Sequence, residues 1–198
     1  MTLYQRFWKR SFDIVFSILG LVLFTPLILV GYVVAASSAK KNGFFRQKRV
    51  GRAGRLFFVI KLRTMKDRPG IVSSATAKTD PRITRGGAFL RKYKFDELPQ
   101  LWNVLSGKMS FVGPRPDVPG FADKLAGKDR IILTLRPGIT GPAAIKYKNE
   151  EEILAKQENP DDYNRQVLWP DKVKINREYL ENYSFCKDMY YIFKTFFL

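Results

Sequence analysis

The longest apolar stretch of the chain lies near its N-terminus and predicts a membrane helix. No charged residue occurs from Ile14 to Ala39, and a helix of that length crosses a hydrocarbon core of about 30 Å. Pro26, preceded by Thr25, lies in the middle of the stretch and is expected to break or kink the helix. Basic residues flank both ends: Arg6, Lys9 and Arg10 before the stretch, and Lys40, Lys41, Arg46, Lys48 and Arg49 after it.

These two basic flanks bear on the path of the helix. Positively charged segments tend to remain in the cytoplasm, and a re-entrant helix that bends at Thr25 and Pro26 keeps both flanks there. An ordinary kinked transmembrane helix is the alternative. Residues 1–40 are therefore predicted to form a re-entrant anchor, and residues 41–198 one domain on the cytoplasmic face of the membrane. Asp13, three residues after Arg10, is expected to pair with it at the membrane edge.

Shorter patterns predict an α+β domain that is mostly helical, with short strands and hairpins. Residues 56–61 are rich in Phe, Val and Ile and predict a strand after a glycine-containing turn. The polar residues 67–79 predict a mobile loop. Residues 185–198 predict an amphipathic helix whose aromatic stripe suits either the membrane interface or the core.

Residues 90–116 contain a further predicted helix with two adjacent acids at its start. Pro99 is tolerated only in the first turn of a helix, so the helix is expected to begin at about Asp96. Ser106 and Gly107 are expected to end it. The apolar residues that recur at helical spacing in this stretch are Leu98, Leu101, Trp102 and Leu105.

Asp96 and Glu97 are the candidate chemical groups of this stretch. At a helix N-terminus, free backbone N–H groups and the helix dipole stabilise ionised carboxylates. On spacing alone, a helix cap and a first-turn acid explain the pair more simply. The surrounding charges favour a functional site, because an ionised carboxylate among cations can be a nucleophile toward phosphorus or a metal ligand. The nearby cations are Arg85, Arg91, Lys92, Lys94, Lys108 and Arg115.

Two proline-containing turns follow, and each presents an arginine. In the Gly-Pro-Arg-Pro sequence of residues 113–116, two prolines fix the backbone around Arg115, so this side chain loses little entropy when it binds an anion. Residues 136–141 read Arg-Pro-Gly-Ile-Thr-Gly. For Arg136, a connection between strands and a role in anion binding both remain open.

Composition narrows the class of protein. The chain has 198 residues, enough for one domain, and a net charge of +17 that points to nucleic acid, anionic lipid or a phosphorylated substrate. Its single cysteine, Cys186, excludes an internal disulfide and fits a reducing compartment. The sequence contains no histidine, which excludes histidine-based acid–base catalysis and the usual zinc sites.

The sequence D-E-L-P-Q-L-W-N-V-L-S-G-K-M-S-F-V-G-P-R-P of residues 96–116, with R-P-G-I-T-G at residues 136–141, resembles the bacterial sugar transferases. These are the small monotopic polyprenol-phosphate phosphoglycosyl transferases. The resemblance extends from about Arg10 to the C-terminus. It implies transfer of a sugar-1-phosphate from a UDP-sugar to undecaprenyl phosphate with release of UMP. This would be the first membrane step of surface polysaccharide assembly, at the cytoplasmic face of the bacterial inner membrane.

The resemblance also implies roles for individual residues. Asp96 would attack the sugar-bearing phosphorus to form a covalent aspartyl–phosphosugar, and would be a ligand of Mg²⁺. For Glu97, the resemblance leaves three roles open: orienting Asp96, holding the metal and receiving a proton. Thr25 and Pro26 match the family's re-entrant break. The implied contacts with phosphate or nucleotide sugar are Lys61, Arg63, Arg91, Arg115 and Arg136.

Two other functions remain open at this point. One is a non-enzymatic, membrane-bound basic module that binds anionic lipid or nucleic acid, although such a module does not explain an acid pair inside a basic region. The other is a spanning transferase without a covalent step. The enzyme hypothesis expects anionic membrane lipids, but no nucleic acid, as partners. Asn176 stands about where many relatives of the family carry an aspartate. The sugar, the pathway, the oligomeric state and the role of residues 147–171 stay undetermined.

Overall fold

The computed structural model describes residues 1–67 and 80–197. The predicted class is confirmed: these residues form a mostly helical α+β protein with two small sheets of two strands each. Residues 68–79, most of the segment predicted as a mobile loop, lie outside the described residues. The elements are α1 (Leu3–Ala39), β1 (Phe44–Val50), β2 (Leu56–Leu62), α2 (Arg85–Lys92), α3 (Gln100–Leu105), β3 (Ser110–Val112), β4 (Gly138–Thr140), α4 (Pro142–Lys146), α5 (Glu150–Ala155), α6 (Pro160–Tyr163), α7 (Trp169–Glu181) and α8 (Phe185–Phe196).

Helix α1 presents one narrow buried stripe and a broad exposed apolar surface. Within the described part of the chain it is the one helix long and apolar enough to cross a membrane. Its buried positions are separated by three, four or seven residues, so they share one face. That face packs against the rest of the protein, while large apolar residues such as Val22 and Leu23 face outward. An exposed apolar surface of this extent suits a membrane. The buried positions are Lys9, Asp13, Ser17, Leu21, Ile28, Gly31, Ala35 and Ala39.

The helix continues through Pro26, so the predicted break is absent from its backbone. Pro26 offers no N–H to the preceding turn. Thr25 Oγ1 donates a hydrogen bond of 2.5 Å to the carbonyl of Leu21, a contact that often bends helices. Packing explains the continuity, because Leu21 and Ile28, on either side of the proline, share one apolar cluster with Leu101. The re-entrant path stays a prediction, and it requires a bend rather than a break.

Thiol labelling checks the re-entrant path. Two variants are made in a Cys186→Ser background. Tyr4→Cys marks the start of α1, and Lys41→Cys marks its end. Because the basic flanks favour the cytoplasm, we expect a membrane-impermeant maleimide to modify both cysteines in inverted vesicles and neither in intact spheroplasts. Labelling of the two positions from opposite sides would show that α1 spans the membrane.

A buried polar cluster joins the start of α1 to α7 and α8. Lys9 Nζ lies 2.5 Å from Asp188 Oδ2, and the hydroxyls of Tyr179 and Tyr183 also donate to the Asp188 carboxylate. Lys9 is 8% exposed and Asp188 2%. Asp188 on the polar side of α8 is therefore buried, while Phe185 and Phe193 on its aromatic side are exposed. This orientation favours the interfacial alternative for α8.

The expected pair between Asp13 and Arg10 does not form. Asp13 Oδ1 instead accepts hydrogen bonds from Ser110 Oγ at 3.1 Å and from the backbone N–H of Phe111 at 3.0 Å. Arg10 turns toward the C-terminus of α3 and donates to the backbone carbonyls there. The i,i+3 spacing identified neighbours within the helix, but the packing of β3 against α1 supplied better partners for Asp13.

Two strand pairs support the loops that carry the candidate residues. Strands β1 and β2 form an antiparallel hairpin in which Phe45 lies opposite Lys61. Strands β3 and β4 are parallel, with Ser110 opposite Gly138. The two backbones approach closely here, since a Cβ on Gly138 would lie 2.2 Å from the backbone nitrogen of Gly113. The two predicted arginine turns are therefore fastened to each other.

Candidate active site

The two acids precede α3 in a separate tight turn. Residues Phe95–Glu97 form a 3₁₀ turn, and the α-helix begins at Gln100, four residues later than predicted. Pro99 has no N–H to offer the carbonyl of Phe95, so the N–H of Leu98 donates to that carbonyl instead. The predicted helix end at residues 106–107 is confirmed, with a left-handed glycine after the cap.

Glu97 lies between two cations that come from distant parts of the chain. Lys61 Nζ, on β2, is 2.7 Å from Glu97 Oε1, and an Nη of Arg115 is 3.7 Å from the same oxygen. Burial alone would raise the pKa of Glu97, but the charges of Lys61 and Arg115, and the hydrogen bond from Lys61, lower it to about 2. Glu97 is therefore ionised throughout the neutral range.

Asp96 has the opposite electrostatic environment. Burial and the neighbouring negative charge of Glu97 raise the pKa of Asp96 to about 6, against the lowering effects of Lys61, Arg91 and Lys94. Adjacent carboxyls with pKa values pushed apart are typical of sites that assign different chemical roles to two acids. Asp96 is partly exposed and can be reached by a ligand.

A pH profile of the rate follows from this environment. The resemblance implies that Asp96 attacks phosphorus and that UMP is released. Such an attack needs the ionised carboxylate, and kcat/KM reports ionisations of the free enzyme. We expect kcat/KM for UMP release to fall about tenfold per unit as the pH decreases below about 6. The measurement is initial-rate kinetics in a buffer series of constant ionic strength. A profile that stays flat to about pH 4.5, near the usual carboxyl range, would contradict this expectation.

The structure brings some of the predicted cations to the acids. Lys61 and Arg115 contact Glu97 directly. Arg91, on α2, lies close enough to influence Asp96, although its nearest ionic partner is Glu151 at 3.5 Å. Arg115 is 54% exposed, so part of its guanidinium remains available to a ligand.

Arg63 and Arg136, which were also predicted to bind phosphate, make contacts with residues other than the two acids. Arg63 Nε donates to the carbonyl of Asn42 at 2.9 Å, and its guanidinium lies 5.5 Å from the centre of the Phe45 ring. Arg136 Nε donates to the carbonyl of Gly107 at 2.9 Å, just beyond the end of α3. For both arginines, phosphate binding stays a prediction.

Arg10 and Arg136 together satisfy the C-terminal end of α3. Arg10 donates hydrogen bonds to the carbonyls of Val104 and Leu105 at 2.7 and 2.8 Å, and Arg136 donates one to the carbonyl of Gly107. Cations at this end of a helix complement its negative pole. These contacts fix α3, and through it the turn that carries the two acids. The sequence did not indicate Arg10 for this position, because its partners are nearly a hundred residues away.

Asp117 and Arg49 also belong to this region, and the sequence reasoning missed both. Burial raises the pKa of Asp117 to about 7, against the lowering effects of Lys172, Arg49 and Arg115. The pKa of Arg49 is lowered by burial and by the charge of Arg115. For Asp117, one sequence signal was available: it is an acid that directly follows the rigid Gly-Pro-Arg-Pro turn.

The donor set can be compared with the needs of Mg²⁺. Among the described residues, no three carboxylate, cysteine or histidine side chains gather into a metal-binding group. Mg²⁺ usually binds one or two protein carboxylates and takes its other ligands from substrate phosphates and water. Asp96 suits this pattern, because no described residue donates a hydrogen bond to its carboxylate. Glu97 is already engaged by Lys61 and Arg115.

An apolar helix beside an acid pair surrounded by cations is the arrangement expected of a membrane-associated protein that binds phosphorylated ligands. The model of one family, described as bacterial sugar transferase, matches residues 4–198. The chain therefore belongs to the bacterial sugar transferase family, which confirms the resemblance noted in the sequence.

Individual relatives agree with this assignment. The exopolysaccharide production protein ExoY of Rhizobium meliloti is 33% identical over 203 residues, which cover 94% of this chain and 83% of ExoY. The UDP-glucose:undecaprenyl-phosphate glucose-1-phosphate transferase of Escherichia coli is 35% identical over 98% of this chain. A putative undecaprenyl-phosphate N-acetylgalactosaminyl 1-phosphate transferase of Bacillus subtilis is 44% identical over 59% of it. The chain spans 40% of the length of the E. coli protein and of several other relatives.

Proposed function

We propose that the protein transfers a sugar-1-phosphate from a UDP-sugar to undecaprenyl phosphate at the cytoplasmic face of the bacterial inner membrane. This would be the first membrane step in the assembly of a surface polysaccharide. Relatives named as transferases that act on UDP-sugars and undecaprenyl phosphate support the donor and acceptor classes. The observation that carries the proposal is the pair of unlike carboxyls, Asp96 and Glu97, beside Lys61 and Arg115.

The proposed reaction has two displacements at one phosphorus atom. A carboxylate oxygen of Asp96 attacks the sugar-bearing phosphorus, and the bond from that phosphorus to the bridging oxygen breaks, so the bridging oxygen leaves with UMP. The acceptor phosphate then attacks the same phosphorus. The bond to Asp96 breaks, and the free carboxylate returns with undecaprenyl diphosphate sugar as the product.

Glu97 serves this reaction by holding cations. Since its pKa is about 2, it carries a negative charge near neutral pH and does not serve as a proton acceptor. Its contacts keep Lys61 and Arg115 beside Asp96, where their charges stabilise the donor's phosphates and the developing charge on the leaving group. Arg91 adds a further positive charge near Asp96. A magnesium ion bound through Asp96 and the donor's diphosphate would supply additional charge neutralisation.

Release of UMP by the purified, membrane-embedded protein tests the proposal. The donors are UDP-glucose, UDP-galactose and UDP-N-acetylgalactosamine, each with Mg²⁺ and with or without undecaprenyl phosphate. We expect one donor to give continuous UMP release when the lipid is present. Without the lipid, the same donor should give a burst no larger than the amount of enzyme, because the covalent intermediate accumulates. Absence of release from any UDP-sugar would favour the non-enzymatic basic module.

A further inference from the structure

Asp117 is held rigidly at the end of the turn that presents Arg115. Its backbone carbonyl accepts a hydrogen bond of 2.9 Å from the N–H of Val50, the last residue of β1. Arg49 donates to the neighbouring carbonyl of Pro116 at 3.3 Å. The other flank of the turn is fixed to β4 through backbone hydrogen bonds. The backbone of Asp117 is therefore fixed near the proposed site, yet the reaction described above does not use this residue.

Charged groups from four parts of the fold act on this carboxyl. They are Arg49 on β1, Arg115 on the turn itself, Lys172 on α7 and Glu150 on α5. Lys172 is already engaged, since its Nζ lies 2.5 Å from Glu150 Oε1. The charges of two acids therefore act on Arg115. An Nη of Arg115 lies 3.7 Å from Glu97 Oε1, and Asp117 follows Arg115 two residues later in the chain.

A small cavity beside the turn provides an independent observation. Its lining includes Arg115, Asp117 and Asn176, and its volume of about 20 Å³ is enough for one water molecule. Asn176 is 4% exposed, and its Oδ1 accepts no hydrogen bond from the described residues. A buried acceptor of this kind needs a donor. A carboxylate cannot donate, whereas a carboxylic acid can donate directly or through one water.

We propose that Asp117 is a positioning residue for Arg115, whose negative charge acts on the guanidinium and is neutralised by a proton from solvent when the donor's diphosphate binds. This inference rests on the proposed function. An ionised Asp117 lies within the electrostatic influence of Arg115, and its negative charge repels the incoming diphosphate. Protonation removes the repulsion and supplies the donor that Asn176 needs. Donor binding and protonation of Asp117 therefore favour each other, as thermodynamic linkage requires.

The electrostatic environment places this exchange in the neutral range. Burial raises the pKa of Asp117 to about 7, and the charge of Glu150 adds to this rise, against the lowering effects of Lys172, Arg49 and Arg115. A bound diphosphate adds further negative charge and raises the pKa again. The donor should therefore bind more tightly at neutral pH than at alkaline pH, where Asp117 remains ionised.

Steady-state kinetics tests the linkage. For the wild-type protein, we expect the KM of the preferred UDP-sugar to increase about fivefold between about pH 7 and about pH 8.5, with little change in kcat. In Asp117→Asn the KM should be low at both pH values and change less than about twofold. The matched control is Asp129→Asn. Asp129 lies outside the site, and its Oδ1 is 2.7 Å from an Nη of Arg177. The control should keep the wild-type profile.

Calorimetry gives a second readout that does not depend on a substitution of Asp117. In the Asp96→Asn background, which removes both turnover and the titration of Asp96, the preferred UDP-sugar is bound at about pH 7.5 in two buffers of different ionisation enthalpy. We expect uptake of about 0.5 proton per donor bound, because a group with a pKa near 7 is then mostly ionised before binding. A further Asp117→Glu substitution should retain uptake with a shifted pH dependence.

The outcomes separate this inference from the proposed function. If the wild-type protein releases UMP but Asp117→Asn keeps the wild-type KM profile, or if binding takes up no proton, Asp117 does not have the proposed role. If the wild-type protein releases UMP from no UDP-sugar, the proposed function itself fails. The calorimetric result also covers the case in which Asp117→Asn does not fold.

Discussion

Asp96→Asn is expected to abolish UMP release, with a loss of about 10⁴-fold or more in kcat, while the fold stays intact. An amide of the same shape cannot form the acyl phosphate, because its nitrogen and oxygen are poor nucleophiles toward phosphorus. The substitution also relieves the repulsion between Asp96 and Glu97 that helps to raise the pKa of Asp96. The expected result is therefore a folded, inactive protein rather than an unstable one.

The measurement is single-turnover UMP release, with circular dichroism and thermal unfolding as the check on folding. Asp161→Asn is a matched control, because Asp161 is exposed on α6. It should retain wild-type activity. If Asp96→Asn released UMP at a rate near that of the wild type, Asp96 would not be the nucleophile, and a direct transfer between donor and acceptor would replace the covalent mechanism.

The largest expected effect on stability comes from the buried pair of Lys9 and Asp188. Asp188→Leu leaves the ammonium of Lys9 buried without a counter-charge, and breaking a buried ion pair in this way costs about 3–5 kcal/mol. For a domain of this size, we expect the unfolding temperature in detergent to fall by about 10 °C. The double variant Lys9→Met with Asp188→Leu should lose less, since it removes both charges together. The remaining loss comes from the hydroxyls of Tyr179 and Tyr183, which no longer have Asp188 as an acceptor.

An exposed pair supplies the control for this experiment. Lys146 Nζ lies 2.6 Å from Asp171 Oδ2, but the Lys146 side chain is 54% exposed. Lys146→Met should therefore leave the free energy of unfolding almost unchanged. Additive effects of the Lys9 and Asp188 substitutions would mean that the two side chains do not stabilise each other.

Several features of the site could be predicted from short stretches of sequence. The end of α3 was found because a glycine after a helix adopts left-handed backbone angles that other residues avoid. The acid pair and the rigid Arg115 turn were found because their residues are adjacent in the chain. The start of α3 was placed four residues early, since sequence alone did not distinguish a 3₁₀ turn from the first turn of an α-helix.

Contacts between distant segments were beyond the sequence reasoning. Lys61 and Arg63 are two residues apart, yet Lys61 joins Glu97 while Arg63 turns to the carbonyl of Asn42. Arg136, like Arg115, lies in a proline- and glycine-containing turn, but its side chain donates a hydrogen bond to the carbonyl of Gly107 just beyond the end of α3. Which arginine faces the acids depends on how β2, β3 and β4 pack around α3, and residue type does not encode that arrangement locally.

By itself, the sequence determined the α+β class, the long apolar helix, the family, the acid pair and the rigid turn that contains Arg115. These depend on composition, on periodicity and on residues that are close in the chain. Only the tertiary structure decided the different pKa values of Asp96 and Glu97, the continuity of α1 through Pro26 and the grouping of Asp117 with Asn176. The physical reason is that desolvation, charge–charge interaction and packing depend on distances in space, and here those distances join residues far apart in sequence.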